Sequence, residues 1–361
     1  MWMLIFFVLP LVGLAYVLWH VWCMLPWGVA GKSAVVAVCI LAFATLFLNF
    51  SHAIDRFPMW LARTCYEVGN SAIFVLLYLV MLFLLLDIGR LLHVVPKSLL
   101  YANGYASLAV TALMVVVFAA AYANYMHKAR HEVSLPVVKN VPAGTKLVMM
   151  SDLHLGYHNG RKELARWVDM VNAERPDVVL FAGDIVDGSL RPLTDEDMAA
   201  ELRRIDAPVF ACLGNHEYYS GIDGSVDFYR EAGITLLRDS AATVGNIVIV
   251  GRDDRSNRHR KSIGALMCGV DTSKYVILLD HQPYHLEQAE RAGVDFQFSG
   301  HTHHGQVWPI SWITQSVYED AYGPWQRGDT RYYVSSGMGI WGAKFRIGTC
   351  SEYIVATFGG D

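Results

Sequence analysis

The hydrophobic pattern divides the chain into two regions. Four long apolar runs cover residues 3–24, 34–53, 71–86 and 106–126. About 20 apolar residues allow a helix to cross a bilayer, and the third run approaches this length if Asp87 extends its carboxylate toward the headgroups. The run FVLLYLVMLFLLL, residues 74–86, has none of the polar stripes that helices of a soluble bundle show. The pattern therefore predicts a membrane domain at 1–126 with four transmembrane helices.

The second region has a different period. Residues 127–145 form a polar segment with a proline and a glycine, which is typical of a connector. From Lys146 onward, short runs rich in Val, Ile, Leu and Phe alternate with longer amphipathic segments. This order predicts an α/β domain over residues 146–361.

Each apolar run of the second region ends in a small polar cluster. KLVMM is followed by SDLHLG, VVLFA by GDIVDGS, VFACL by GNHEYY, YVILL by DHQP, and DFQF by SGHTHHG. Residues at the carboxyl ends of strands in an open α/β sheet converge on one crevice, even when they are distant in the chain. The five clusters are therefore expected to build a single site.

The clusters supply oxygen and imidazole donors and no thiolate, a set that suits divalent manganese, iron or zinc. The candidate ligands are Asp152, His154, Asp184, Asn215, His281, His301 and His303. Seven ligands are too many for one cation. They suit two cations about 3.5 to 4 Å apart that share a carboxylate, an arrangement that promotes phosphoester hydrolysis.

The order of the motifs resembles that of the calcineurin-like metallophosphoesterase superfamily. The family pattern is D-x-H, G-D-x-x-D, G-N-H-[DE], a single H, and G-H-x-H, and it is matched at 152–154, 183–187, 214–217, His281 and 300–303. The resemblance extends from about Lys146 to the end of the chain. It implies a four-layer α/β/β/α sandwich, here preceded by the four-helix transmembrane region.

The chain also looks like the membrane-associated branch of that superfamily, which includes YkuE-like phosphoesterases and UDP-diacylglucosamine pyrophosphohydrolases. The segment SSGMGIWGAKFRIGTCSEY loosely resembles the glycine-rich ending of this branch, with Arg346 and Glu352 as its arginine and glutamate.

The resemblance implies two ligand groups around one bridging carboxylate, Asp184. The groups would be Asp152, His154 and His303 for one metal, and Asn215, His281 and His301 for the other. Manganese is the expected metal, with iron or zinc as alternatives. His216 would protonate the leaving oxygen or stabilise the transition state. Asp187 would orient a histidine from outside the ligand set.

The third histidine of the last motif has two open interpretations. In an extended segment side chains alternate, so His301 and His303 would project to one side and His304 to the other. His304 would then either lie on the exposed surface or line the pocket rim and contact substrate.

The segment GRDDRSNRHRKS, residues 251–262, is a second candidate for substrate binding. Arg252, Arg255 and Arg258 have the planar forks that suit a diphosphate or an anionic headgroup. A solvated charged loop is the alternative. Four tryptophans near the end of the chain would form either a lipid-facing lip or ordinary buried packing: Trp308, Trp312, Trp325 and Trp341.

Three functions remain open from sequence. The leading hypothesis is an integral-membrane, metal-dependent hydrolase of a phosphoester or pyrophosphate bond in a lipid-linked substrate. The alternatives are a phosphodiesterase acting on soluble nucleotides, with the helices as an anchor, and a non-catalytic scaffold. A net charge of -4 without a broad basic face argues against nucleic-acid binding.

The basic residues give a small asymmetry across the bilayer. Residues 1–126 contain only eight charged side chains. Four basic residues flank the helices on the side of the second domain and three on the other side. By the positive-inside rule, this favours the cytoplasmic side for the catalytic domain. The membrane itself is expected to be the inner (plasma) membrane.

Overall fold

The computed structural model describes residues 2–359, with side chains described from Val8 onward. The predicted outer boundaries at residues 1 and 361 lie outside the described residues. The chain forms two compact units. The first consists of Met1–Ala123 and Gly342–Lys344, and the second of Asn124–Trp341 and Phe345–Asp361.

Four helices dominate the first unit, as the apolar runs predict. They are α1 (Trp2–Met24), α2 (Val29–Phe50), α3 (Met59–Leu91) and α4 (Gly104–Met126). Among the described residues, α2, α3 and α4 are long and apolar enough to cross a membrane, and α1 contributes a shorter apolar stretch, Val8–Met24. Helix α3 begins well before the predicted run, because charged residues such as Arg63 and Glu67 lower the hydropathy of its first turns without interrupting the helix.

The helices of the first unit pack through apolar side chains and one close backbone approach. Val17, Phe43 and Phe83 belong to its buried cluster. A Cβ atom at Gly69 of α3 would lie 2.5 Å from the backbone nitrogen of Leu46 in α2. Glycine therefore permits these two helices to approach more closely than any larger residue would allow.

Two six-stranded sheets form the centre of the second unit. Its strands are β1 (Lys128–Leu135), β2 (Lys146–Met150), β3 (Val178–Ala182), β4 (Val209–Cys212), β5 (Thr235–Leu236), β6 (Ser240–Val244), β7 (Ile247–Gly251), β8 (Tyr275–Leu279), β9 (Phe296–Ser299), β10 (Gly323–Arg327), β11 (Thr330–Val334) and β12 (Ser351–Phe358). The first sheet has the order β1-β12-β2-β3-β4-β5 and the second the order β10-β11-β9-β8-β7-β6. The central strands β2, β3 and β4 run parallel, as do β7, β8 and β9.

The helices of this unit lie between the strands in the chain. They are α5 (Arg161–Ala173), α6 (Arg191–Asp195), α7 (Met198–Leu202), α8 (Asn215–Tyr219), α9 (Ile222–Glu231), α10 (Ile263–Met267), α11 (Glu287–Arg291) and α12 (Ile310–Val317).

Alternation along the strands generates the four-layer sandwich that the resemblance implied. Met149 and Leu180 of the first sheet and Ile277 of the second share the core between the sheets. Their chain neighbours point outward, where Val148 packs with Trp167 of α5. On the outer face of the second sheet, residues of α10 and α11 cover β7 and β8. Each sheet is thus buried on both faces, which explains why its strands are continuous apolar runs.

The segment predicted as a connector contains strand β1. Lys128 pairs with Ser351 and Leu135 with Phe358, so β1 lies parallel to β12 along its whole length. The strand is not apparent from hydropathy because its side chains alternate between partly and fully exposed positions until Leu135, which is buried. Just before β1, the hydroxyl of Tyr125 donates a 2.6 Å hydrogen bond to Asn159. The second unit therefore begins before residue 127.

We expect a fragment starting at Asn124 to fold and to melt at a higher temperature than one starting at Val138. The shorter fragment lacks β1 and leaves the edge of β12 unpaired. Loss of the buried Leu135 side chain alone should cost about 1.5 to 3 kcal/mol. Thermal unfolding followed by circular dichroism measures the difference. Equal melting temperatures would show that β1 does not stabilise the unit.

Candidate metal centre

The polar clusters of both sheets lie at the same end of the second unit. Asp152, Asp184 and Asn215 follow β2, β3 and β4 of the first sheet, and His281 and His301 follow β8 and β9 of the second. The turns are tight. Asp152 and Asp184 adopt left-handed conformations, with φ values of 54° and 52°. These turns direct the carboxylates into the junction between the sheets.

The first predicted ligand group is assembled in the structure. The Nε2 atoms of His154 and His303 lie 3.0 Å apart. Asp152 Oδ1 is 3.8 Å from the first of these nitrogens and 3.5 Å from the second. Asp152 and His154 are fully buried. One cation can therefore reach all three side chains.

The second group lies on the other side of Asp184. Asp184 Oδ2 is 3.1 Å from His281 Nε2 and 3.8 Å from His154 Nε2. The rings of His281 and His301 are 5.1 Å apart, and donor atoms of these two histidines and Asp184 lie within 4.8 Å of one another. The position of Asp184 between the two groups is the one that a bridging ligand requires.

Two orphaned polar atoms support the fit to cations. Asn215 Oδ1 and His281 Nε2 are buried and have no hydrogen-bond partner among the described residues. The other ring nitrogen of His281 donates a 2.7 Å hydrogen bond to the carbonyl of Ala182, which leaves Nε2 as the free lone pair. Buried polar atoms normally have partners. A cation would provide one for each of these atoms.

The electrostatics of the pocket favour positive charge. Burial opposes ionisation of Asp184, but the neighbouring histidines, His281 first, hold its pKa well below the usual range. Burial and the charge of His281 lower the pKa of His301 to about 4. Burial likewise lowers the pKa of His303 to about 3. Although both rings are buried, the neighbouring carboxylates raise the pKa of His154 to about 10 and the pKa of His281 well above its ordinary value. A bound cation would replace the protons of these two imidazoles, as metal ligation requires.

Asp187 and His216 flank the ligand groups. Asp187 Oδ1 accepts a 3.1 Å hydrogen bond from His154 Nδ1, which orients the other nitrogen of that ring toward Asp152 and His303. His216 Nδ1 donates a 2.8 Å hydrogen bond to the backbone carbonyl of Asp187. The His216 ring lies 4.5 Å from that of His154. The geometry is the one expected for an orienting carboxylate and for a histidine at the edge of the centre.

The conformation of the three-histidine segment differs from the extended one assumed from sequence. His301, His303 and His304 all have positive φ, and His303–Gly305 forms a 3-10 turn. The rings of His301 and His303 nevertheless reach the two ligand groups. His304 is separated from them because its ring stacks on Tyr322 at 4.4 Å. A turn, and not strand alternation, is the physical cause of this separation.

The predicted substrate-binding role of Arg252 requires correction. Arg252 is 7% exposed, and its guanidinium pairs with Asp280 at 3.0 Å and donates to the carbonyl of Lys261. These contacts occupy the fork that a phosphate would need. Arg255 and Arg258 are exposed. Arg255 lies over the ring of Tyr284 at 4.0 Å.

The aromatic neighbours of Arg255 connect it to the metal centre. The hydroxyl of Tyr284 donates to that of Tyr318 at 3.0 Å, and the Tyr318 ring is 6.3 Å from the His301 ring. Two tyrosine rings, those of Tyr284 and Tyr318, therefore lie between the candidate arginine and the second ligand group.

Glu217 and Arg346 have structural roles that the motifs did not reveal. The Glu217 carboxylate is buried and accepts hydrogen bonds from the backbone N–H groups of Asp184, Val186 and Gly214. Arg346 is fully buried, and its guanidinium donates to the carbonyl of His303 at 2.7 Å. Glu217 is the last residue of GNHE, so its position was visible in the sequence, but its backbone partners were not.

Comparison with known proteins identifies relatives of both units. The family model for calcineurin-like phosphoesterases matches residues 145–305. An uncharacterized metallophosphoesterase of Aquifex aeolicus is 34% identical over 236 residues, which cover 62% of this chain and 88% of that protein. YkuE of Bacillus subtilis, an uncharacterized metallophosphoesterase, is 28% identical over 254 residues, covering 65% of this chain and 88% of YkuE.

More than one relative matches nearly the whole chain. A transmembrane protein with metallophosphoesterase domain from Danio rerio is 29% identical over 359 residues, which cover 90% of this chain and 82% of that protein. The second unit alone makes up a smaller share of the chain, so this similarity extends into the helical unit.

We expect Asp184→Asn to lose metal from both ligand groups. The bridging carboxylate offsets the mutual repulsion of two cations, and a neutral amide does not. Elemental analysis of the purified protein should show fewer than two metals per chain. The matched control is Asp271→Asn, an exposed carboxylate before β8, at the opposite end of that strand from His281. Two metals per chain in the Asp184 variant would contradict the bridging assignment.

Proposed function

This chain belongs to the calcineurin-like phosphoesterase family and is a metal-dependent phosphoester hydrolase, and we propose that its substrate is a lipid-linked phosphoester or pyrophosphate. The observation that supports the hydrolase chemistry is the pair of ligand groups on either side of Asp184. The observation that supports a lipid-linked substrate is an exposed apolar helix beside this centre.

Asp152, His154 and His303 would hold one divalent ion, and Asn215, His281 and His301 the other, with Asp184 shared. Manganese fits this oxygen and nitrogen donor set, as do iron and zinc. When bound, the ions supply Lewis-acid stabilisation of phosphoryl charge and an activated water. Asp187 keeps the His154 ring oriented through the hydrogen bond at Nδ1.

His216 is proposed to act at the leaving oxygen. Its Nδ1 is engaged with the carbonyl of Asp187, which leaves Nε2 for the reacting group. Its backbone N–H donates to Asp184 Oδ1 at 2.9 Å, so the residue is held against the bridging carboxylate. The ring of Tyr219 lies 5.2 Å from that of His216 and is well exposed, in a position to contact the substrate.

Helix α12 offers the apolar contact that an acyl chain requires. Trp312 is 63% exposed, Ile313 61% and Val317 58%. Gln315 of the same helix lies with its Nε2 atom 3.2 Å from Nε2 of His304, the neighbour of the ligand His303. Exposed apolar patches mark membrane or ligand contacts. An acyl chain on α12 would thus bring its phosphate close to the metal centre.

The tryptophans predicted as a lip do not all belong to this surface. Trp308 packs edge-on against Trp312, with ring centroids 5.3 Å apart. Trp325 instead packs on Tyr332 and joins the core of the outer layer. The proposed acyl contact is therefore restricted to α12 and Trp308, with Arg255 as the cationic partner of the phosphate.

The helices α2, α3 and α4 are consistent with an integral-membrane protein. We infer that the second unit is on the cytoplasmic side of the inner membrane, because basic residues flanking the helices are slightly more numerous on its side. This location would give the site access to lipids of the inner leaflet.

His216→Ala should retain both metals and lower kcat by roughly 10² to 10⁴, the typical loss when a proton-transfer group is removed. The assay is manganese-dependent hydrolysis of an aryl phosphodiester, with metal content measured on the same samples. His259→Ala, which removes an exposed histidine of the 251–262 segment, is the matched control. Unchanged kcat in the His216 variant would exclude it from the chemical step.

Trp312→Ala should raise KM about tenfold for an acylated substrate and leave KM for the deacylated analogue unchanged, because it removes an apolar contact made only with the acyl chain. Arg255→Ala should raise KM for both substrates. Kinetics of full-length protein in detergent micelles test this, with Val137→Ala as an exposed apolar control. Equal specificity for acylated and deacylated substrates in the wild type would favour the soluble-nucleotide alternative.

A further inference from the structure

A second group of potential metal ligands lies in the second unit, apart from the seven residues described above. It contains His131 of β1, Glu352 of β12 and Cys350, which precedes β12. Ala129 pairs with Glu352 in the parallel register, so His131 projects from the same face as Glu352. Cys350 also projects from this face, since it is two residues before Glu352.

The donor atoms of this cluster converge. The imidazole nitrogen, the thiol sulfur and a carboxylate oxygen lie within 4.8 Å of one another. His131 Nε2 is 3.2 Å from Glu352 Oε2. This nitrogen is buried and forms no hydrogen bond among the described residues, although the His131 side chain as a whole is 41% exposed. Its lone pair is therefore available to a cation that also binds the Glu352 carboxylate.

Tyr322 provides a fourth polar group at the same place. Its hydroxyl is 2.9 Å from Glu352 Oε2 and 3.5 Å from Cys350 Sγ. Glu352 is fully buried. A buried carboxylate is costly unless it is paired, and a divalent cation is an effective partner.

We propose that His131, Cys350 and Glu352 bind a third divalent cation of the zinc type. Nitrogen, sulfur and oxygen donors together suit Zn²⁺, which commonly takes four ligands, and the Tyr322 hydroxyl or a water completes the set. Binding replaces the thiol proton of Cys350 by the cation, and the proton is released to solvent. Zinc is neither oxidised nor reduced in this exchange.

The third cation would stabilise a backbone turn that packs against the candidate metal centre. Glu352 Oε1 accepts a 3.0 Å hydrogen bond from the N–H of Ser336. The next residue, Gly337, packs so closely on Asp152 that a Cβ atom would lie 2.8 Å from the Asp152 Cβ. A cation that holds Glu352 in place would therefore also hold the turn at Ser336 and Gly337, which packs against the candidate ligand Asp152. The proposed role is structural, joining β1 and β12 to this turn.

The thiol distinguishes this site from the other ligand groups. Those groups contain histidines and aspartates but no cysteine. Cobalt bound to a thiolate gives a near-ultraviolet charge-transfer band that nitrogen and oxygen ligands do not give. The probe is Co²⁺ titrated into full-length protein in detergent, in the Asp184→Asn background that is designed to empty the other groups.

We expect the charge-transfer band to saturate at one Co²⁺ per chain. Cys350→Ser should abolish the band, and His131→Ala should weaken Co²⁺ binding by more than about tenfold. The matched control is Cys268→Ser, which removes an exposed thiol and should keep the band. If Cys350→Ser does not fold, as judged by circular dichroism, the His131→Ala titration decides.

Absence of the band in folded protein saturated with Co²⁺ would overturn the inference. A band that persists in Cys350→Ser, or Co²⁺ affinity that is unchanged in His131→Ala, would do the same. These results are independent of the proposed substrate. Protein that shows the band but hydrolyses no acylated phosphoester would contradict the proposed function and leave the third site intact.

Discussion

Three buried carboxylates at the junction of the two sheets impose the main constraint on the second unit. Asp152, Asp184 and Asp187 are each at most 3% exposed. Two like charges 4 Å apart repel by about 4 kcal/mol at the effective dielectric of a protein interior. Backbone donors offset part of this repulsion, since the N–H of His301 points at Asp152 and that of His216 at Asp184. Bound cations would provide the compensation that these neutral dipoles leave incomplete.

The glycines of the motifs follow from the same constraint. A Cβ atom at Gly214 would lie 2.1 Å from Asp184 Oδ1, and one at Gly300 would lie 2.2 Å from Asp152 Oδ2. Only glycine lets the backbone approach a buried carboxylate so closely. For this reason, a glycine lies next to a candidate metal-ligand residue just after the end of a strand in these motifs. Because the glycine and the metal-donor residue are required at the same place, even a short motif that contains both is specific for this kind of site.

Features that depend on local sequence could be predicted, and features that depend on distant partners could not. The apolar runs predicted the four helices, and the polar clusters at strand ends predicted which residues meet. Strand β1 escaped prediction because its pairing with β12 joins residues more than 200 positions apart. Arg252 looked available in the sequence because Asp280, which neutralises it, belongs to another segment. The resemblance to a family supplied the roles of individual ligands, which spacing alone did not assign.

Hydrolytic chemistry and substrate choice depend on different parts of the second unit. The ligands are fixed by strand ends and buried hydrogen bonds, so their arrangement is independent of the surface. Arg255 and helix α12 are exposed. Arg255 is linked to His301 through Tyr284 and Tyr318, and α12 to the segment after His303 through Gln315 and His304. These surface elements can change without disturbing the buried ligands. The proposed amphiphilic substrate would use Arg255 for its phosphate and α12 for its acyl chain.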